Sequence, residues 1–483
     1  MLGWLIRFEA FPEYFTRVVS GYHSILNRDT MIEDKWMKLL FKGHPIGYSM
    51  NSLEVAEGDP KRYYTIKNQV FIKFQAMGYD QPVYVDTESN IDVMYTLRRF
   101  RFSLNSGTYR MWLEGNRIDE KKFLVKMFTG ASTQRSVVEI PDDVILYSPM
   151  TEMRLRRMKP GQELTLKTLD PMSLNPTRMT VRAIRKEIID HDGQDVEATL
   201  LETEHQGMPV ESWMASDGTV LRQETPFGWT IVSCTPEEAI ETIREEGFSG
   251  DILAAMAIRC TGKIEEPRKT KGLRLRLSGV SVPHESLSTP RQRVKQVNEN
   301  GIELLVSAAR QPETINNTEI NTNTNLAAYL AATRFIQSDH PDLKKKASQI
   351  VKGIDDNREK VFAICDWVDK QVKNVMTISL PSALDVLHQR EGDCNEHTYL
   401  FTGLARSIGI PTKIMVGVAF HEGKFFYHAW PSVYLGEWHE MDPTWGEKAV
   451  DATHIRLAEG ELANQMELLR FLGQAEIEIL EVL

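Results

Sequence analysis

Between residues 35 and 224 the chain alternates apolar with polar residues in short runs rich in Val, Ile, Tyr, Phe and Thr. A period of two sends successive side chains to opposite faces of a strand, so a stretch this long commits much of the chain to antiparallel sheet. Residues 39–41 and 48–55 predict two strands joined by a turn through Gly43, Pro45 and Gly47. Residues 63–74, 93–104, 109–115, 161–166, 179–188 and 197–204 repeat the pattern, and 213–224 predicts a hairpin around Asp217-Gly218. The basic clusters Arg98, Arg99, Arg101 and Arg154, Arg156, Arg157 fall in this region and read as the solvated face of a sheet.

A length of 483 residues allows about two to four domains. With 42% hydrophobic and 26% charged residues, the chain is neither disordered throughout, nor collagen-like, nor a bundle of membrane spans. The net charge of −10 argues against a nucleic-acid partner, which needs a positive surface. Residues 1–30 form an amphipathic helical segment in this reading, with Leu2, Leu5, Phe8, Phe11 and Phe15 at helical spacing. Arg7 and Glu9 interrupt its apolar run well short of the ~20 residues of a membrane span, and no secretory core is present. It reads as a helix covering a core edge; the remnant of an anchor, and so membrane association, stays open.

The remainder divides into a β-rich antiparallel domain (31–235), a helix plus small β unit (236–315), and a final domain (316–483) that begins with an Asn/Thr-rich linker at 316–325. After the linker the period becomes helical, over 326–335, 343–354 and 358–372. Val361, Ile364, Cys365, Val368 and Val372 share one helical face.

The four cysteines, Cys234, Cys260, Cys365 and Cys394, show no CxxC pairing, which excludes a disulfide scaffold and a zinc ribbon. The first three read as packing residues. Cys394 differs, because it follows Asp393 and precedes Glu396, a capping-box pattern that places it at the first position of a helix running to 408 and ended by Gly409 and Pro411. A helix start favours a thiolate and offers N–H groups to an oxyanion. Gly392 leaves room for a substrate in this reading, and Cys394, His397, Phe401, Leu404 and Ile408 form a stripe facing the core.

Three strands follow, at 412–420, 425–435 and 438–442. His428 shares a face with Phe426, Trp430 and Tyr434; Asp442 shares one with Trp438 and Glu440. A two-residue loop at 436–437 would put His428 and Asp442 on opposite faces. A three-residue loop, 435–437, sets Tyr434 opposite Trp438 and brings His428 and Asp442 together as diagonal neighbours. That loop, or an equivalent bulge, is expected, and with it the constellation is nucleophile Cys394, base His428 and orienter Asp442.

The runs GDCNEH, FYHAW and MDPTW, in this order and spacing, resemble the transglutaminase-like superfamily in its bacterial branch. The resemblance covers about 381–457, including Asp451-Ala452-Thr453-His454-Ile455, and extends weakly to the β-rich region. It implies an α+β chain: a C-terminal papain-like core, helix bundle on antiparallel sheet, preceded by a large β-rich region. By motif it carries the catalytic roles to Cys394, His428 and Asp442. Relatives of this kind are often anchored and extracytoplasmic; this chain shows no complete anchor, which leaves its location open.

A zinc site built on Cys394 and His397 with His421, His428 or His439 is disfavoured, since His421 falls in a turn and His439 points away from His428. No EF-hand loop is visible, and no cofactor is expected. Trp430 and Trp445 read as core, with Trp430 placed to shape the cleft. The expected activity is thiol-dependent acyl transfer from amide bonds of a protein or peptide, hydrolytic with water as acceptor and cross-linking with a lysine amine. A catalytically inactive binding protein with a β-rich ligand site is the alternative, and a small-molecule acyltransferase the weakest reading. Acceptor and oligomeric state are not legible.

Overall fold

A computed structural model describes residues 21–24, 26 and 34–483, except 56–63, 77–78, 108, 131, 147–154, 156–157, 170–173, 206–207, 226–227, 245–256, 280–283, 300, 313–323, 377–378, 381 and 462–474. Most of the expected N-terminal segment, most of the Asn/Thr-rich linker, and Arg154, Arg156 and Arg157 lie outside the described residues. Among those described, no helix is long and apolar enough to cross a membrane.

The alternating region forms one sheet of fifteen strands among the described residues. Its central strand, Lys35–Phe41, pairs on one side with His44–Val55 and on the other with Trp229–Cys234. Two meanders run outward from there, ending at Thr133–Glu139 and Val144–Ile145. All pairings are antiparallel except that of Val144–Ile145 with Glu163–Leu169. Lys42 and Gly43, at φ 50° and 83°, form the first two-residue turn, the twist-compatible hairpin connection. Pro45 and Gly47 therefore belong to the second strand, not to the turn as the sequence suggested. Gly47 lies where a Cβ would be 1.9 Å from the Phe71 carbonyl oxygen.

The strand Tyr79–Ile91 escaped the sequence pattern because it carries few apolar residues (YDQPVYVDTESNI). The next strand begins at Leu97 rather than 93. The Asp92 carboxylate accepts from the N–H groups of Met94 and Thr96, both at 2.9 Å, and so makes residues 92–96 a turn. Arg98 pairs with Asp92 and Arg99 with Glu114, while Arg101 is exposed, as expected of a solvated sheet face.

A five-stranded sheet follows, containing Arg259–Thr261, Gly272–Ser278, Gln292–Asn298 and Gly301–Ser307. The C-terminal strand Glu476–Val482 inserts between the first two, so the end of the chain returns to the small β unit.

Five α-helices are described: α1 (Pro236–Arg244), α2 (Pro341–Ile350), α3 (Asn357–Gln371), α4 (Ala383–Gln389) and α5 (Cys394–Ser407). The helix expected at 326–335 is instead a 3-10 turn at Thr324–Tyr329 followed by bends. Thr333 accepts the Ile336 N–H at 3.1 Å and Arg406 takes the Ala331 carbonyl at 2.8 Å, drawing these backbone groups out of a helical ladder.

The last sheet holds β1 (Thr412–His421), β2 (Lys424–Tyr434), β3 (Trp438–Glu440) and β4 (Ile455–Glu459), in the order β3-β2-β1-β4. Leu400, Phe401 and Leu404 of α5 pack in one cluster with Leu343 and Ala347 of α2, Ile364 and Val368 of α3, and Val433 of β2. Thus α5 is buried all round, from Glu396 to Arg406, rather than along a single stripe. The fifteen-stranded sheet docks on this part: the Leu380 N–H donates to the Tyr109 hydroxyl at 3.0 Å.

Candidate active site

The capping box at the start of α5 is complete. Asp393 accepts from the Asn395 N–H at 2.9 Å, and Glu396 accepts from the Asp393 N–H at 2.9 Å. A Cβ on Gly392 would lie 2.1 Å from the Glu396 Cβ. The cap by itself therefore requires glycine at 392. Because Asp393 takes the N–H groups of Asn395 and of the third helical residue, the backbone donor left at the thiol is Cys394's own.

Cys394 is 9% exposed. Burial and the neighbouring Asp393 charge push its thiol well above the ordinary value, and the Ala429 N–H, which bonds the sulfur, pulls the other way. This reverses the expectation of a thiolate at the helix start. Desolvation at this buried position opposes the thiolate that a helix start favours.

The hairpin between β2 and β3 has the three-residue loop. Tyr434 faces Trp438, Ser432 faces Glu440, and the Leu435 N–H closes on the Glu437 carbonyl at 2.9 Å, with Gly436 at φ 86°. His428 and Asp442 consequently meet: His428 Nε2 is 2.8 Å from Asp442 Oδ2, both side chains buried. Burial resists charge on Asp442, but His428 and His454 outweigh it and hold the carboxyl below its usual range. Burial lowers the His428 pKa despite Asp442, so the imidazole is neutral near pH 7. The His428 ring stacks on Trp445 at 4.4 Å with 8° between planes, and lies 5.9 Å from Trp430.

The sequence missed an outer ring of partners. His454, fully buried, donates through Nε2 to the same Asp442 oxygen at 3.2 Å, and its Nδ1 lies 3.5 Å from Asp451. Burial opposes its charge, yet the bonds to Asp442 and Asp451 raise its pKa to about 9. Arg268, from the small β unit, lies 2.8 Å from Asp451 and stacks over Trp445 at 4.0 Å. Burial raises Glu447 nearby to about 7. Arg291 donates to the His454 carbonyl at 2.6 Å and pairs with Glu440 at 2.7 Å, and Glu440 accepts from Trp430 Nε1 at 2.8 Å. One local signal existed: Asp451 and His454, three apart, stand among Ala452, Thr453 and Ile455, residues suited to burial. Arg268 and Arg291 carry no such signal.

Metal-ligand geometry arises twice among the described residues, at His428–Asp442–His454 and at Glu447–Asp451–His454. The Arg268 guanidinium already supplies a cation beside Asp451, and His454 serves both carboxylates. His397, the partner considered for a zinc site with Cys394, faces the Asp393 carbonyl at 2.7 Å and the Val372 carbonyl at 3.3 Å through its two ring nitrogens. Cys365 is a core residue, and Cys234 and Cys260 are half-buried.

Residues 344–443 match the transglutaminase-like superfamily. That match takes in α5, the strand β2 carrying His428, and Asp442 two residues beyond β3. The chain is also similar to mouse (Mus musculus) kyphoscoliosis peptidase, 27% identical over 126 residues, 23% of this chain and 19% of that protein. The aligned part is therefore about one fifth of that relative's length. Among solved structures, a provisionally named cysteine protease from Cytophaga hutchinsonii is 19% identical, covering 43% of this chain and 83% of that one at a TM-score of 0.30. The periplasmic domain of TgpA from Pseudomonas aeruginosa, bound to ethylmercury, is 15% identical, covering 38% and 93% at a TM-score of 0.25.

Proposed function

We propose that the chain is a thiol-dependent acyl-transfer enzyme acting on amide bonds of proteins or peptides through Cys394, His428 and Asp442. The observation that carries this reading is the buried 2.8 Å contact of His428 with Asp442 on the strand whose Ala429 N–H bonds the Cys394 sulfur. Ionised Asp442 fixes the proton on Nε2 and leaves Nδ1 as the basic nitrogen. His428 takes the thiol proton as sulfur attacks the amide carbonyl, and the Cys394 N–H faces the developing oxyanion. The imidazolium then protonates the departing amine, leaving a thioester on Cys394. Water entering the thioester releases an acid; a lysine amine entering it forms a new amide.

The second reading is a binding protein with a silent site, and the burial of the thiol favours it. Incubation of wild type and Cys394→Ala with dimethylcasein and a fluorescent amine separates the two. New peptides or amine incorporation that require Cys394 support the enzyme and identify the acceptor. Neither product in wild type supports the binding protein.

A further inference from the structure

A cavity of about 680 Å3 opens on the face of β2 that carries His428, but away from it. Ser432, in its lining, is four residues beyond His428, roughly 13 Å along a strand. Trp430 stands between them: its ring is 5.9 Å from His428, and it packs on Met415, which lines the cavity. The opposite wall comes from residues 288–293 and 305–310 of the small β unit.

The lining carries five cations, Arg291, Arg293, Arg310, Lys413 and Arg456, against three carboxylates, Glu437, Glu440 and Glu459. In a chain of net charge −10 this is a local reversal of sign. The two inner carboxylates are already committed. Glu440 pairs with Arg291 at 2.7 Å, and Glu459 with Lys413 at 2.8 Å and Arg456 at 3.8 Å. Glu437 is 77% exposed at the rim. Arg293 and Arg310 are exposed and form no ion pair among the described residues.

The wall also holds buried polar atoms with no hydrogen-bond partner: the hydroxyl of fully buried Ser432 and the Nε atoms of Arg291 and Arg456. The arginine nitrogens can only donate. Those atoms lie behind the cavity surface, which itself offers the guanidinium donors and positive charge of exposed Arg293 and Arg310; such a surface selects acceptor oxygens carrying negative charge. The volume exceeds what a single phosphate needs and falls in the range of small-molecule sites. We infer that this cavity is a binding site for a small organic polyanion, a ligand with clustered carboxylate or phosphate oxygens, distinct from the Cys394 site.

Calorimetric titration of the full chain with citrate and with inorganic pyrophosphate, at fixed ionic strength, tests this. Wild type and Cys394→Ala are expected to bind one equivalent of at least one probe saturably. Arg293→Ala/Arg310→Ala, altered at two exposed positions, is expected to bind at least tenfold more weakly. Arg101→Ala, an exposed arginine on the large sheet, is expected to bind as wild type does. Citrate binding alone identifies a carboxylate ligand, pyrophosphate alone a phosphate ligand, and both a site reading oxygen clusters; each supports the inference. Absence of saturable binding by either probe, or equal affinity in the double variant, overturns it. Neither result depends on whether Cys394 is catalytic.

Discussion

Asp442 receives His454 on the same carboxylate oxygen that holds His428, at 3.2 Å and 2.8 Å. A single buried acceptor thus joins the proposed base to a second imidazole, which in turn reaches Asp451. The second imidazole is the cationic one, since its pKa is raised to about 9 whereas that of His428 is lowered.

A stability signature follows from that charge. A histidine whose folded pKa lies above its unfolded value of ~6.5 stabilises fully below that value and loses its contribution as pH rises through about 9. Unfolding free energies from urea titrations at pH 6 to 10 are expected to fall across this window by up to roughly 3 kcal/mol. In His454→Gln the fall is expected to flatten, with lower stability at pH 6. An unchanged slope in that variant would remove the charge from His454.

Arg268 links the small β unit to the site by pairing with buried Asp451 and covering Trp445. Arg268→Ala is expected to lower stability by about 1–3 kcal/mol, discounted because its side chain is one third exposed. Release of the Trp445 cover should also show as a changed tryptophan emission spectrum. Arg268→Lys, which keeps the charge but not the planar stack, is expected to restore stability more than the spectrum.

Gly392 and Gly409 flank α5 and offer an internal comparison. Gly392→Ala drives a Cβ into Glu396, whereas Gly409→Ala meets open space and pays only for its φ of 84°. Expected losses are about 2–3 kcal/mol for the first, through the cap, and about 1 kcal/mol for the second. Chemical denaturation with hydrogen exchange at the Asn395 and Glu396 amides distinguishes them, because only the first variant should expose those amides.

The parts of the site legible in sequence are those set by short-range rules. Asp393 and Glu396 announce the helix start three residues apart, and a three-residue β2–β3 loop sets which faces Tyr434, Trp438 and Asp442 share. The periodicity of 35–224 announces the large sheet in the same way, although Tyr79–Ile91 was too polar to register. What stayed hidden depends on distant segments. Arg268 and Arg291 reach His454 and Asp451 from more than 150 residues away in sequence. The return of Glu476–Val482 to the small β unit likewise leaves no local trace. The direction of the Cys394 shift was misjudged for the same reason: the helix start is local, whereas the burial that outweighs it is assembled by the whole fold.

The central claim is that His428 activates a buried, neutral Cys394. It is tested most directly by the rate of iodoacetamide labelling of Cys394, read by peptide mass against Cys234 and Cys260, from pH 6 to 10 in wild type and His428→Ala. The thiol is held high, so wild-type labelling is expected to keep rising above pH 8 rather than level off near neutrality. Removal of the base is expected to slow labelling at pH 7 at least ~10-fold. Equal rates in the two proteins at every pH would contradict the account.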